Sequence, residues 1–215
     1  MQFPSEKDKK IQLPGAVGAI EALTSVPKAP CADVTVVICH PHPLYQGTMN
    51  NKVIFTLARA FEALGLRTVR FNYRGVGESE GSYGEGVGEA DDALAVMRWV
   101  QSARPDDAIW LAGFSFGGYV AARAASLSSV GQLLTVAPSV EHFDFGTLAT
   151  IAAPWLVIQG EKDDVVSPSA VYQWAEAAEE APTLIRVPEV GHFFHGHLPE
   201  LKHAVITHYQ TRLSA

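Results

Sequence analysis

The stretch GFSFGG, residues 113–118, lies between an apolar segment and an Ala-rich one. Residues 108–112, AIWLA, are typical of a buried strand, and residues 119–127, YVAARAASL, favour a helix. A G-x-S-x-G pentapeptide at such a junction is typical of a nucleophile elbow, a turn so sharp that it exposes the serine hydroxyl. The glycines two residues before and after the serine avoid a collision between a Cβ and the neighbouring strand or helix. Ser115 is therefore the candidate nucleophile.

The composition is that of an ordinary globular protein. The chain has 215 residues, 47% of them hydrophobic and 18% charged, so we expect one domain spanning residues 1–215. The net charge of −7 argues against nucleic acid or an anionic membrane surface as a partner. The start, MQFPSEKDKK, leads into no signal-peptide pattern, and no apolar run reaches the length of a membrane span. We therefore expect a cytoplasmic protein.

Short apolar strands alternate with helical segments along the chain. This alternation predicts a mostly parallel sheet with helices on both faces, in which ligands bind at the carboxyl ends of the strands. The strands are predicted at 9–13, 19–24, 34–39, 66–72, 108–112, 132–137, 155–159 and 183–187, and the helices at 52–64, 89–101, 119–127, 169–179 and 198–213. Polar loops follow most of these strands, so a site is expected at that edge of the sheet.

A serine nucleophile needs a base to take its proton and an acid to orient that base. The acid is expected after a strand near the elbow, where the segment QGEKDD follows predicted strand 155–159. Asp163 is the predicted acid, and Asp164 is the alternative, because the register of one loop residue is not readable from sequence. Asp144, in the preceding loop, is a more distant third candidate.

The base is expected last in chain order, beyond the final strand. His192 fits this position, since it follows a glycine at the start of the segment GHFFHG. His195 and His197 lie nearby, but neither follows the glycine at the mouth of the loop, and both are expected to precede or cap the last helix. The order serine, aspartate, histidine then agrees with the elbow.

A negatively charged tetrahedral intermediate needs two backbone N–H donors. One is predicted to be Phe116, the residue after the nucleophile. The other should come from the segment HPHPLY, residues 40–45, where the two prolines lack an N–H. The remaining donors are His42, Leu44 and Tyr45, of which we predict His42.

Six segments in this order resemble the small bacterial α/β-hydrolases of the dienelactone-hydrolase-like branch: CHPHPLYQGTMNNK, RFNYRGVGESEG, GEADDA, LAGFSFGGYVA, QGEKDDVV and GHFFHG. These are lid-less serine hydrolases described as esterases. The resemblance implies the α/β-hydrolase fold, a triad of Ser115, Asp163 and His192, and an oxyanion loop after Cys39. Dienelactone hydrolases themselves carry a cysteine nucleophile, so the serine here puts the dienelactone substrate in doubt but not the class of mechanism.

The predicted pocket is open and small. Residues 138–154 suffice only for a connection and a short helix, so no lid or cap domain is expected and the pocket should suit small or short-chain acyl groups. Tyr45 and Phe114 flank the elbow and are candidates for its apolar lining. Arg74 is a candidate clamp for a substrate carboxylate.

Three functions compete for these residues. The first is a serine hydrolase that cleaves small or short-chain carboxylic esters or thioesters through an acyl-enzyme, needs no cofactor or metal, and has a small-molecule acyl ester as its partner. The second is a metal-dependent hydrolase, since five histidines cluster in the sequence of the candidate loops, His40, His42, His192, His195 and His197. The third is a non-catalytic scaffold. The elbow and the complete set of triad candidates favour the first.

Overall fold

A computed structural model describes residues 2–213 and contains one central sheet of eight strands within that range. The strands are β1 (Lys9–Pro14), β2 (Ala19–Ser25), β3 (Val34–Cys39), β4 (Arg67–Phe71), β5 (Ala108–Phe114), β6 (Gln132–Val136), β7 (Trp155–Gly160) and β8 (Thr183–Val187). Their order across the sheet is β1-β2-β4-β3-β5-β6-β7-β8. The pairs β1–β2 and β2–β4 are antiparallel and the others are parallel, which confirms the predicted mostly parallel sheet.

Helices cover both faces of this sheet. They are α1 (Lys52–Ala63), α2 (Val87–Ala103), α3 (Phe116–Leu127), α4 (Pro168–Ala177) and α5 (Leu198–Leu213). Successive side chains of a strand point to opposite faces, so Val37 and Leu133 pack with α2 and α3, whereas Val36 and Leu134 pack with α1 and α5. Both cores are therefore built from continuous apolar strands, as a sheet buried on two faces requires.

The parallel register aligns the carboxyl ends of the central strands. Cys39 pairs with Gly113, Phe114 with Val136, and Val136 with Ile158. The loops that follow β3, β5, β6 and β7 therefore leave the sheet at one edge. This alignment brings together candidate residues that lie far apart in the sequence.

The connection from β6 to β7 contains one short 3-10 helix, Phe145–Thr147, and no further element. No lid or cap domain covers the edge of the sheet there, as the length of the connection predicts. Among residues 2–213, no helix combines the length and apolarity needed to cross a lipid bilayer.

Candidate active site

The turn between β5 and α3 places Ser115 in a strained backbone conformation. Its φ of 56° and ψ of −119° are sparsely populated by residues other than glycine, and such strain is typical of functional turns. The conformation is held by the N–H of Ser115, which donates to Val136 O at 2.9 Å. A Cβ on Gly113 would lie 2.0 Å from Gly117 O, and a Cβ on Gly117 would lie 2.2 Å from Cys39 O. Both flanking glycines are therefore required by contact, as the pentapeptide predicts.

The structure brings together the side chains of Ser115, His192 and Asp163. His192 Nε2 lies 3.1 Å from Ser115 Oγ, and His192 Nδ1 lies 2.9 Å from Asp163 Oδ2. All three residues are buried. His192 is in the loop after β8 and Asp163 is in the loop after β7, so each side chain comes from the carboxyl end of a strand.

The carboxylate of Asp163 is fully hydrogen-bonded. Its Oδ1 accepts the N–H groups of Val165 and Val166 at 2.9 and 2.8 Å, and its Oδ2 accepts Gln159 Nε2 at 3.0 Å besides the contact with His192. Burial on its own would raise the pKa of Asp163, but the hydrogen bond from His192 and the two backbone donors outweigh it, and the net pKa is lowered. An ionised Asp163 accepts a hydrogen bond from the N–H of His192 Nδ1, which leaves Nε2 free to accept the hydroxyl proton of Ser115.

The other acidic candidates lie elsewhere. Asp164 is exposed and turned away from this contact, although it is the next residue in the chain. Asp144 is exposed and accepts the N–H of Gly146 at 2.9 Å, which stabilises the 3-10 helix. The carboxylate that meets His192 is therefore the one predicted first.

The backbone of the loop after β3 leaves one of its three candidate donors unused. Leu44 N–H donates to His42 Nδ1 at 3.2 Å, and Tyr45 N–H donates to His42 O at 3.1 Å. Among residues 2–213, no hydrogen bond uses the N–H of His42. The N–H of Phe116 opens α3, where the first N–H groups of a helix have no partner inside it. His42 and Phe116 both line the cavity that contains Ser115.

The histidines do not form a metal centre. His40 is fully buried: its Nδ1 donates to Pro41 O at 2.7 Å and its Nε2 accepts Tyr73 N–H at 3.2 Å. His197 is half-buried, and its Nδ1 lies 3.3 Å from Glu200 Oε1. Within the described part of the chain, no group of three or more His, Cys, Asp or Glu side chains is placed to hold a metal ion. The hydrogen bonds of His40 leave it no lone pair for a ligand role.

A family model described as the alpha/beta hydrolase fold matches residues 34–149, more than half of the chain. The protein belongs to the α/β-hydrolase family. An α/β serine hydrolase homologue from Coxiella burnetii is 44% identical, with a TM-score of 0.92 over 95% of this chain and 99% of that one. A lid-less α/β serine hydrolase from Xanthomonas campestris is 43% identical, with a TM-score of 0.95 over 100% of this chain and 99% of that one.

This chain is also similar to a relative of unassigned activity. A protein from Rickettsia prowazekii described as uncharacterized is 35% identical over 163 residues, which are 74% of this chain and 68% of that one. These similarities confirm the predicted lid-less α/β-hydrolase fold and the predicted class, a hydrolase.

The cavity of this hydrolase opens above Ser115 and has a volume of about 590 Å³. Tyr45 lies at its rim with 83% of its surface exposed. The lining consists of Pro41, His42, Tyr45, Gln46, Gly47, Asn51, Ser115, Phe116, Ser139, His142, Phe143, Val165, Val166, His192 and Phe193.

Two predicted pocket residues of the hydrolase lie outside this lining, and both predictions were wrong. Arg74 is held by Asp92, with its Nη2 at 2.8 Å and its Nε at 3.1 Å from the carboxylate, so its charge is already paired. Phe114 is fully buried, and its ring packs 4.9 Å from the ring of His192. Phe114 precedes the nucleophile in sequence, but it is the last residue of β5. Successive side chains of a strand point to opposite faces of the sheet, and that of Phe114 points into the core.

The sequence analysis did not single out Ser139, which is part of the same site. Ser139 Oγ lies 3.2 Å from Ser115 Oγ, and the residue is buried in the cavity wall. It follows β6, whose carboxyl end was expected to carry polar residues. Its place after β6 was the one feature of the sequence that could have indicated a role in the site, but most serines in loops have no catalytic role.

Proposed function

We propose that this α/β-hydrolase is a serine hydrolase that cleaves small carboxylic esters or thioesters through an acyl-enzyme. The observation that carries the proposal is the geometry at His192, whose two ring nitrogens lie 3.1 Å from Ser115 Oγ and 2.9 Å from Asp163 Oδ2. Nucleophile, base and acid within hydrogen-bond distance form the arrangement that activates a serine hydroxyl. The substrate is a small-molecule acyl ester.

The reaction follows from these contacts. His192 Nε2 takes the hydroxyl proton while Ser115 Oγ attacks the carbonyl carbon, and the carbonyl oxygen becomes an oxyanion. The N–H groups of Phe116 and His42 donate to that oxyanion. His192 then gives its proton to the leaving oxygen or sulfur, and the acyl group stays on Ser115. A water molecule, deprotonated by His192, attacks the acyl carbon; the bond to Ser115 Oγ then breaks, Oγ takes the proton from His192, and the acid leaves. Asp163 orients the ring of His192 throughout and stabilises the imidazolium each time it forms.

The remaining features of the proposal concern the whole chain. We propose that residues 1–215 form a single α/β-hydrolase domain, which the one continuous sheet supports. A cytoplasmic location and the lack of a nucleic-acid or membrane partner stay predictions from the sequence.

Labelling with a fluorophosphonate tests the activated serine. Intact-mass measurement should show one adduct on the wild type and none on Ser115→Ala. Ser139→Ala is the matched control, because Ser139 lines the same cavity but Ser115 is the serine that contacts His192. The control should still be labelled. A folded wild type that takes no adduct, or an adduct that persists in Ser115→Ala, would contradict the proposal.

The open cavity also leads us to expect substrates with short acyl chains. Because the connection between β6 and β7 contains no lid, short-chain esters should be hydrolysed with a rate that depends smoothly on substrate concentration. A series of para-nitrophenyl esters of increasing acyl chain length, each assayed over a range of concentrations, measures both the chain-length preference and the dependence of rate on concentration. A preference for long chains with a jump in rate above the solubility limit would count against a small acyl substrate.

A further inference from the structure

The direction that the acyl group takes can be worked out from the site. In the tetrahedral intermediate the former carbonyl carbon carries Ser115 Oγ, an oxyanion, the leaving atom and the acyl group. The oxyanion faces the N–H groups of Phe116 and His42, and the leaving atom faces His192, so the acyl group takes the remaining direction. The loop after β6 contacts Ser115 separately, through Ser139 Oγ.

Aromatic residues are part of the lining of the cavity that contains Ser115. Phe143 N–H donates to Ser139 O at 3.1 Å, which ties Phe143 to the residue that contacts Ser115. The ring of Phe116 lies 5.1 Å from that of Phe143 and 4.7 Å from that of His42, and the rings of His42 and Phe143 are 6.4 Å apart. His42, Phe116 and Phe143 form what we call the aromatic wall.

The aromatic wall is held from behind. The ring of Tyr119 stacks on that of Phe143 at 4.8 Å, and Phe116 is buried. The half-buried rings of His42 and Phe143 are the part of the aromatic wall that a ligand can reach, and the buried ring of Phe116 supports them. Rings fixed in this way bind a ligand with little loss of conformational entropy.

His42 contributes a ring face rather than a polar atom. Its Nδ1 accepts Leu44 N–H at 3.2 Å, so its proton is on Nε2, which lies 3.1 Å from Tyr83 Oη. Both ring nitrogens are thus engaged within the protein. Burial lowers the pKa of His42, which favours this neutral form.

The lining of the cavity contains no Asp, Glu, Lys or Arg among the described residues. The one arginine expected to reach a substrate, Arg74, is paired with Asp92. A charged group on the acyl part would lose its hydration without gaining a partner of opposite charge, and such a loss is costly.

We propose that the acyl group this hydrolase accepts best is uncharged and carries a flat aromatic ring that packs against the aromatic wall. The inference rests on the proposed function, because it places the acyl group of an ester on Ser115. It adds a substrate class: neutral arylalkanoyl esters.

A matched pair of esters with one leaving group tests the ring. The para-nitrophenyl esters of phenylpropanoic and cyclohexylpropanoic acid differ in the flatness and π-character of the ring. The wild type should favour the phenyl ester in kcat/KM by about three- to tenfold, the size of an aromatic pair contribution. Phe143→Ala and Phe143→Leu should both bring that ratio close to unity. Phe55→Ala, at an exposed phenylalanine of α1 outside the cavity, should keep it.

A second pair tests the charge. A phenylpropanoyl ester with a para-carboxylate should be hydrolysed at least about tenfold less efficiently than the same ester with a para-carboxamide, because the carboxylate finds no cation in the cavity. Equal rates for the two members of either pair would overturn the inference and leave the proposed function standing. A wild type that hydrolyses none of the esters and takes no fluorophosphonate adduct would overturn both.

Discussion

Gln159 contacts the same carboxylate oxygen of Asp163 as His192 does, and it supplies one of the four hydrogen bonds of that carboxylate. Its Nε2 donates to Asp163 Oδ2 at 3.0 Å, whereas its Oε1 is buried without a hydrogen-bond partner among residues 2–213. Gln159 therefore holds the carboxylate of Asp163 in place although this leaves its own buried Oε1 without a hydrogen bond, and it is a positioning residue.

Replacement of Gln159 by methionine should separate activity from stability. Gln159→Met removes a hydrogen-bond donor from the charged Asp163, so kcat/KM should fall about tenfold. The unfolding free energy should change by only about 1 kcal/mol, because the substitution also removes the buried oxygen that has no hydrogen-bond partner among the described residues. Steady-state kinetics and urea unfolding measure the two effects. A variant that loses stability but keeps its kcat/KM would show that Gln159 supports the fold alone.

Ser139 is expected to donate its proton to Ser115. His192 Nδ1 donates to Asp163, so His192 Nε2 accepts the proton of Ser115, and Ser115 Oγ is left as an acceptor for Ser139 at 3.2 Å. Ser139→Ala should lower kcat/KM about fivefold, the value of one ordinary hydrogen bond. Ser126→Ala is the control, since Ser126 Oγ donates to Arg123 O on α3. Unchanged kinetics in Ser139→Ala would show that the hydroxyl contact is incidental.

At the scale of single residues, the sequence predicted those whose chemistry is fixed by a motif or by chain order. Ser115 is marked by glycines that the local backbone requires, and His192 by its place after the last strand. Arg74 and Ser139 were harder, because their roles depend on which partner a second loop brings near. Nothing in the sequence around Arg74 shows that Asp92 lies within 2.8 Å of it.

At the scale of elements, strands were predicted better than helix starts. β3 and β8 lie where they were expected, since both are short runs rich in β-branched and apolar residues. α3 begins at Phe116, three residues earlier than predicted, because the elbow feeds directly into the helix. α2 begins at Val87 instead of Glu89, and Glu89 reaches back to the N–H groups of Gly84 and Gly86 at 2.8 and 2.7 Å.

The pairing of Arg74 with Asp92 joins the loop after β4 to α2. The Asp92 side chain is 1% exposed and that of Arg74 is 11% exposed, so loss of the guanidinium leaves a buried carboxylate without its counter-ion. Arg74→Met should lower the unfolding free energy by about 3 kcal/mol and leave KM unchanged. Arg98→Met, at an exposed position of α2, is the matched control and should change neither. A raised KM with full stability would restore the clamp role for Arg74.

At the scale of the whole molecule, the buried His40 makes stability depend on pH. Burial lowers the pKa of His40 from its ordinary 6.5 to about 3. Between these values the unfolded chain binds a proton that the folded chain does not, so the unfolding free energy should fall as the pH falls, by up to about 5 kcal/mol. Asp163, whose pKa is lowered, acts in the same direction below the pKa of its unfolded form.

Urea unfolding at a series of acidic pH values measures this dependence. His40→Asn should be less stable at neutral pH, because Tyr73 N–H loses its acceptor, and should show a shallower decline below it. A decline of the same slope in His40→Asn would assign the acid sensitivity to other groups.

The overall architecture was predictable because it follows from periodicity. Continuous apolar strands alternating with helices allow few arrangements other than a covered parallel sheet. The site then follows from one rule about strand ends, and that rule works without any knowledge of side-chain contacts. The shape and charge of the cavity required the structure, since they arise where five loops meet.

Both flanking glycines of the elbow, Gly113 and Gly117, are fixed by contacts with backbone atoms, and these contacts limit which residues of the turn can change. A side chain on Gly113 would meet the backbone of Gly117, and one on Gly117 would meet Cys39 O, so neither substitution can be rescued by its neighbour. The side chain of Ser115, between these glycines, is less constrained, since it projects into the cavity. A designer could therefore exchange the reacting atom, for example with Ser115→Cys, and retain the frame that presents it. In this hydrolase the chemistry is replaceable at one position, whereas the turn that makes it possible is not.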